Sequence, residues 1–131
     1  MDGQEDIRFL LVDDHVYVRS TLHRLISTLS RGKVVAEAEN GADALHLISV
    51  HRPHVVLMDI VMPVMDGLQA AEHIRREYPE IHLILYTSHD KQRFQHRVRE
   101  LGIDAIYIKE ELTLSELQRL VNEWFGLPPK M

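Results

Sequence analysis

One stretch constrains the fold more than any other: His54-Val55-Val56-Leu57-Met58-Asp59-Ile60-Val61-Met62-Pro63-Val64-Met65-Asp66-Gly67. Val55 to Met58 are four consecutive apolar residues, two of them β-branched, which suits a strand buried on both faces. A single carboxylate, Asp59, stands where that strand runs out. A buried strand delivers its last residue to the rim of a sheet, and in open α/β sheets the carboxyl rim is where ligands bind. Met62-Pro63 stops any further ladder, because proline has no N–H to donate and restricts the residue before it. Asp66 is then placed as the N-cap of a helix, with Gln69 in the capping-box position.

The rest of the chain repeats this strand-then-helix grammar. Ile7 to Val12 is an apolar strand that ends at Asp13-Asp14. Val18, Leu22, Leu25, Ile26 and Leu29 follow at the spacing of an amphipathic helix, which Gly32 is expected to close. Val34 to Ala38 is a second strand, and Asn40 caps a second helix carrying Leu45 and Ile48. Leu68, Ala71 and Ile74 mark the inner face of a third helix that Tyr78-Pro79 ends. Ile81 to Tyr86 is a fourth strand leading into Thr87-Ser88. Phe94, Val98 and Leu101 form the stripe of a fourth helix, with Gly102 at its left-handed C-terminal cap. Ile103 to Ile108 is a fifth strand, ending at Lys109. The last helix carries a Thr113/Glu116 capping box, a Leu112/Leu117 staple and an apolar face of Leu114, Leu117, Leu120, Val121 and Trp124. Gly126-Leu127-Pro128-Pro129 ends it.

Five such units with short connections imply an α/β fold of the flavodoxin-like, doubly wound kind: a five-stranded parallel sheet in the order 2-1-3-4-5 with five helices. The expected domain covers residues 6–126, with polar or flexible tails at 1–5 and 127–131. A length of 131 residues, 45% of them hydrophobic, fits one such domain. The absence of cysteine excludes disulfides, thiolate metal sites and a cysteine nucleophile. No apolar run approaches the roughly 18 residues a membrane helix needs, and the acidic start is unlike a signal peptide. The chain is therefore read as cytoplasmic and without membrane contact. A net charge of −5 argues against direct nucleic-acid binding by this domain.

Strand order decides which polar residues meet. In the order 2-1-3-4-5 the first and third strands are neighbours, so Asp13, Asp14 and Asp59 converge at the switch point, with Thr87 and Lys109 at the next two strand exits. Three carboxylates in one cleft repel, and a proton or a cation must relieve them. With no sulfur and no matching histidine pattern, a hard divalent ion such as Mg²⁺ is the natural counter-charge. That arrangement suits a phosphoryl group. The metal and Lys109 would neutralise its oxygens, Thr87 would donate to another, and Asp59 is the best-placed carboxylate to attack in line.

The residues Val12-Asp13-Asp14, Met58-Asp59-Ile60-Val61-Met62-Pro63-Val64-Met65-Asp66-Gly67, Tyr86-Thr87-Ser88 and Tyr107-Ile108-Lys109, in that order, resemble the receiver domain of bacterial two-component response regulators. The resemblance implies that Asp59 accepts a phosphoryl group from a sensor histidine kinase or a phosphotransfer protein. It implies that Asp14, Asp59 and the backbone carbonyl of Val61 ligate Mg²⁺, with Asp13 acting mainly through water, and that Lys109 pairs with the phosphoryl oxygens. Thr87 and Tyr107 would be the switch pair, reshaping the surface of the fourth helix, fifth strand and fifth helix by shifting an existing equilibrium. Such a chain is a phosphoacceptor regulator that assists its own phosphorylation and dephosphorylation, not an enzyme acting on outside substrates. Its downstream partner would be an output domain or effector protein, with transcription control as the fold-level analogy and a homodimer left open.

The chain departs from that family at Glu110, which replaces a proline that follows the lysine in a cis peptide. A cis bond before a non-proline residue costs roughly 2.5–4 kcal/mol, so the loop is open to a trans peptide, greater mobility or a different placement. Val61 and His89 occupy positions that tune phosphoryl lifetime in the family. Two other functions compete. A haloacid-dehalogenase-type phosphohydrolase also uses a strand-exit aspartate and Mg²⁺, but needs a second carboxylate two residues on, where Val61 stands. A phosphorylation-independent, receiver-like binding module would be expected to have lost the acceptor or the acid pair. The nine histidines include His46, His51 and His54, none at the i, i+4 spacing of a helical zinc site. The basic run Lys91 to Arg99 reads as a solvated helix face, with partner docking as the alternative, and Met58, Met62 and Met65 read as packing.

Overall fold

The computed structural model describes residues 5–126. Residues 1–4 and 127–131, and with them most of the expected tails and the Leu127-Pro128-Pro129 stop, lie outside the described residues. The elements are β1 (Ile7–Val12), α1 (Val16–Thr28), β2 (Gly32–Ala38), α2 (Gly41–His51), β3 (Val55–Asp59), α3 (Gly67–Glu77), β4 (His82–Thr87), α4 (Gln95–Leu101), β5 (Ala105–Ile108) and α5 (Leu114–Phe125). Short 3-10 turns stand at Lys91–Phe94 and Lys109–Glu111. The strands form one parallel sheet in the order β2-β1-β3-β4-β5, as the strand-helix alternation predicts.

Strand periodicity explains why the strands read as unbroken apolar runs. Successive side chains point to opposite faces, and both faces are covered. Ile7, Phe9, Leu11, Val55, Leu57, Ile84 and Tyr86 pack against Leu22 and Ile26 of α1 and Leu117, Leu120 and Val121 of α5. Their neighbours Leu10, Val12, Val56, Met58, Leu83 and Leu85 pack against Ala44 and Ile48 of α2, Ala71 and Ile74 of α3, and Val98 of α4. β3 lies between β1 and β4, and all five of its residues are buried. Each large aliphatic or aromatic side chain enclosed this way stabilises the fold by about 1.5–3 kcal/mol relative to exposure.

The helix caps follow the sequence with instructive exceptions. Asn40 accepts from the Asp43 N–H at 2.9 Å, and Asp66 and Gln69 complete both halves of a capping box at 2.8 and 2.9 Å. At α5 only half of the expected box forms. Thr113 accepts from the Glu116 N–H, but the Glu116 carboxylate is drawn away to the Tyr107 hydroxyl at 2.7 Å and to Arg119 at 2.9 Å. Leu114 is 36% exposed rather than part of the buried face. Helical Cα–Cβ bonds tilt toward the N-terminus, so a first-turn side chain projects past the packed surface. Gly32 does not close α1: the helix stops at Thr28, Arg31 takes the left-handed backbone (φ 68°), and Gly32 opens β2. Glycine is needed there because an added Cβ would overlap the Ile26 carbonyl oxygen.

The fourth helix is shorter than its stripe suggests. A 3-10 turn carries Phe94, and α4 proper begins at Gln95 and ends on Gly102 in the left-handed conformation (φ 66°). Among the described residues no peptide is cis, so Lys109-Glu110 is trans and Lys109 opens a 3-10 turn just beyond β5. Among the same residues no helix is long and apolar enough to cross a membrane.

Candidate functional site

Among the described residues three polar side chains are buried: Asp13, Asp59 and Thr87. All three stand at the carboxyl ends of adjacent strands, just after β1, at the end of β3 and at the end of β4. Register brings them together, since Val12 pairs with Met58 and Asp59 with Tyr86. The chain beyond Asp59 is clamped. Ile60 N–H donates to the Tyr86 carbonyl at 2.9 Å, and Gly67 N–H donates to the Ile60 carbonyl at 2.7 Å. Gly67 comes so close that an added Cβ would overlap the Asp59 carbonyl oxygen and lie 2.8 Å from Ile60 Cα. The start of α3 thereby fixes where β3 delivers its last side chain.

Asp13 is the best-satisfied acid. Its Oδ1 accepts from the His15 N–H at 2.8 Å and faces His15 Nδ1 at 2.9 Å, and its Oδ2 accepts from the Tyr86 hydroxyl at 2.6 Å. Arg19 donates to the Asp13 carbonyl and to Glu37. Asp14 is partly exposed and lies 3.3 Å from His15 Nδ1. Asp59, only 5% exposed, accepts just the Val61 N–H at 3.2 Å. Burial first, then the neighbouring charges of Asp13 and Asp14, push the Asp59 carboxyl up to about 6, against the pull of the Val61 N–H and Lys109. Candidate ligand atoms of Asp13, Asp14, His15 and Asp59 lie within 4.8 Å of one another.

The remaining expected residues surround this cluster at different depths. Lys109 Nζ sits 5.8 Å from the Tyr86 ring centroid. Thr87 is fully buried, and its Oγ1 accepts the His89 N–H at 3.0 Å. Tyr107 is buried but directed to α5, where its hydroxyl donates to Glu116; burial and this acceptor push the phenol up to about 12. Val61 offers backbone, not a carboxylate, beside Asp59. Met58 and Met62 are buried in the core and Met65 packs against it, as read from the sequence.

Sequence reasoning missed two residues here. His15 carried a signal, since it directly follows the acid pair. Tyr86 stood beside Thr87 in the matching motif, but it was given no role beyond the last apolar position of a strand. Burial and then Asp13 push its phenol far above the ordinary value.

A five-stranded parallel α/β sheet with an acid cluster, a threonine and a lysine at its carboxyl rim is the arrangement expected of a receiver domain. The family profile described as the response regulator receiver domain matches residues 9–122, and the chain belongs to that family. Among relatives it is similar to the response regulator VraR of Staphylococcus saprophyticus, 31% identical over 92% of this chain and 57% of that protein. It is also similar to the response regulator GacA of Pseudomonas aeruginosa, 33% identical over 92% of this chain and 56% of that protein. Among solved structures, the signal receiver domain of NarL from Mycobacterium tuberculosis superposes with a TM-score of 0.82 at 33% identity, covering 91% of this chain and 95% of that one. A LuxR-family response regulator from Aurantimonas sp. SI85-9A1 gives 0.81 at 30% identity, covering 91% and 84%. The chain spans about half the length of the curated relatives it matches. Its function is that of a receiver domain in two-component phosphorelay signalling.

Proposed function

We propose that Asp59 is the phosphoacceptor, taking its phosphoryl group from a phosphohistidine of a sensor kinase or phosphotransfer protein. The observation that carries this is the buried, weakly solvated Asp59 carboxylate at the rim, flanked by the acid pair on one side and by Thr87 and Lys109 on the other. One Asp59 oxygen attacks phosphorus, the donor's P–N bond breaks, and the electron pair stays on the imidazole, which then takes a proton from solvent. Lys109 pairs with the oxygens of the transferred group, and the Thr87 hydroxyl, which now accepts from His89, retains its own proton to donate to them. Hydrolysis of the acyl phosphate on Asp59 resets the domain.

The donor set fits a hard cation. It is dominated by carboxylate oxygens, and burial together with the neighbouring Asp13 charge disfavours the ionised Asp59 carboxyl, an effect that a bound cation would offset. Asp14, Asp59 and the Val61 carbonyl would hold Mg²⁺, with Asp13 acting through water. Bound there, the ion supplies charge neutralisation to the acids and to the transferred group. The switch is assigned to Thr87 and Tyr107, whose hydroxyl donates to Glu116.

The working domain is taken as 6–126. Its output is assigned to a DNA-binding partner domain, supported by the length of the relatives and by a neighbour described as a DNA-binding response regulator of the LuxR family from Staphylococcus aureus, at 28% identity. The test is intact mass after incubation with acetyl phosphate, with and without Mg²⁺. Gain of a single phosphoryl group by the wild type with Mg²⁺, and none by Asp59→Asn, is expected. Equal labelling of Asp59→Asn would overturn the assignment.

A further inference from the structure

We propose that Tyr86 is a positioning residue of this pocket, its hydroxyl fixing the Asp13 carboxylate and its ring seating the Lys109 ammonium. The inference rests on the phosphoacceptor reading above and extends it to a residue on the opposite sheet face from Thr87.

Tyr86 is fully enclosed, and its backbone lies at the centre of the rim, paired with Asp59 on one side and Tyr107 on the other. A buried phenol is unfavourable unless its O–H finds an acceptor, and the acceptor here is Asp13 Oδ2 at 2.6 Å, the distance of a charge-assisted bond. The other oxygen of Asp13 is held by the His15 backbone and ring. Donors from two separate elements thus set both oxygens of one acid, so Asp13 presents an oriented charge to the cleft. The less committed oxygens of Asp14 and Asp59 remain for direct contact with a cation. Partners that orient a metal-binding acid in this way affect affinity although they never touch the ion.

The ring performs a separate task. Lys109 lies beyond β5 in a 3-10 turn, and its Nζ stands 5.8 Å from the Tyr86 ring centroid, within cation–π range. Phenylalanine would keep that seat and lose the hydroxyl; leucine would lose both. One side chain therefore couples an acid on β1's exit to the lysine on β5's exit, across β3 and β4.

The experiment compares wild type, Tyr86→Phe, Tyr86→Leu, Asp13→Asn and the Tyr86→Phe/Asp13→Asn double variant. Titration calorimetry gives Mg²⁺ affinity, and the labelling rate from acetyl phosphate is read at saturating Mg²⁺. Tyr86→Phe, which preserves core volume, is expected to weaken Mg²⁺ about tenfold. In the Asp13→Asn background the same change should have little further effect, because the two act through one bond. Tyr86→Leu should label more slowly at saturating Mg²⁺ than Tyr86→Phe. An unchanged Mg²⁺ affinity in Tyr86→Phe, or the same loss with and without the Asp13 carboxylate, overturns the hydroxyl's role. Equal labelling rates for the Leu and Phe variants overturn the ring's role. A wild type that binds no Mg²⁺ and takes no label overturns the pocket assignment itself, and this inference with it.

Discussion

Strands β1, β3 and β4 are built from different materials at their two ends. Near their starts Ile7, Val55 and Leu83 are enclosed and apolar; at their exits Asp13, Asp59 and Thr87 are enclosed to the same degree and polar. Burial at the first end stabilises the fold at about 25 cal/mol per Å². Burial at the second end costs free energy unless each polar group is partnered. Asp13 is partnered from three directions, whereas Asp59 accepts a single long N–H contact. Equal burial therefore has opposite meaning: stability resides in the strand bodies, and the uncompensated charge is concentrated on the one residue assigned the chemistry.

Substitutions at the two ends should separate these roles. The largest effect is expected at the apolar end, where Phe9→Ala should cost about 3–5 kcal/mol in urea unfolding. Next comes Gly67→Ala at the exit of β3. The new Cβ must displace the Asp59 peptide, costing about 1–3 kcal/mol as overpacking and slowing acetyl phosphate labelling as the carboxylate shifts.

A change of opposite sign is expected at Asp59 itself. Its carboxyl is raised from 3.8 to about 6 in the folded chain, so between those values the folded state binds more protons than the unfolded one. Metal-free stability should then fall as pH rises from about 4 to 6 and level off above, and Asp59→Asn should flatten that slope and raise the neutral-pH midpoint. Urea midpoints across that range, with and without the substitution, check the sign. The smallest effect is expected in the loop after β3, where exposed Val64 holds φ at 67°. Val64→Asn, which tolerates the left-handed backbone, should stabilise by up to about 1 kcal/mol in thermal unfolding.

The strand-helix alternation and the central strand were readable because they rest on local pattern, and the sheet order followed from taking the doubly wound arrangement with them. Val55 to Met58 suited a strand covered on both faces, and Asp66 with Gln69 had the spacing of a capping box; both form. The convergence of Asp13, Asp14 and Asp59 followed from strand order alone. What stayed hidden was contact between distant elements. Tyr86 reaches Asp13 across 73 positions of sequence, and strand periodicity marks it only as a core residue. Glu116 had the right spacing for a cap, but a buried phenol on β5 competes for its carboxylate. Gly32 looked like a terminator because glycine often ends helices; here it permits close approach to Ile26 instead.

The central claim is that the uncompensated acid at the end of β3 is the one that takes the phosphoryl group. The most direct measurement is borohydride trapping after labelling with acetyl phosphate and Mg²⁺, which reduces an acyl phosphate to the corresponding alcohol, followed by peptide mass mapping. Homoserine at position 59, with Asp13 and Asp14 intact, is the expected result. Reduction at position 13 or 14 instead, or none on a chain that gained the phosphoryl mass, would contradict it.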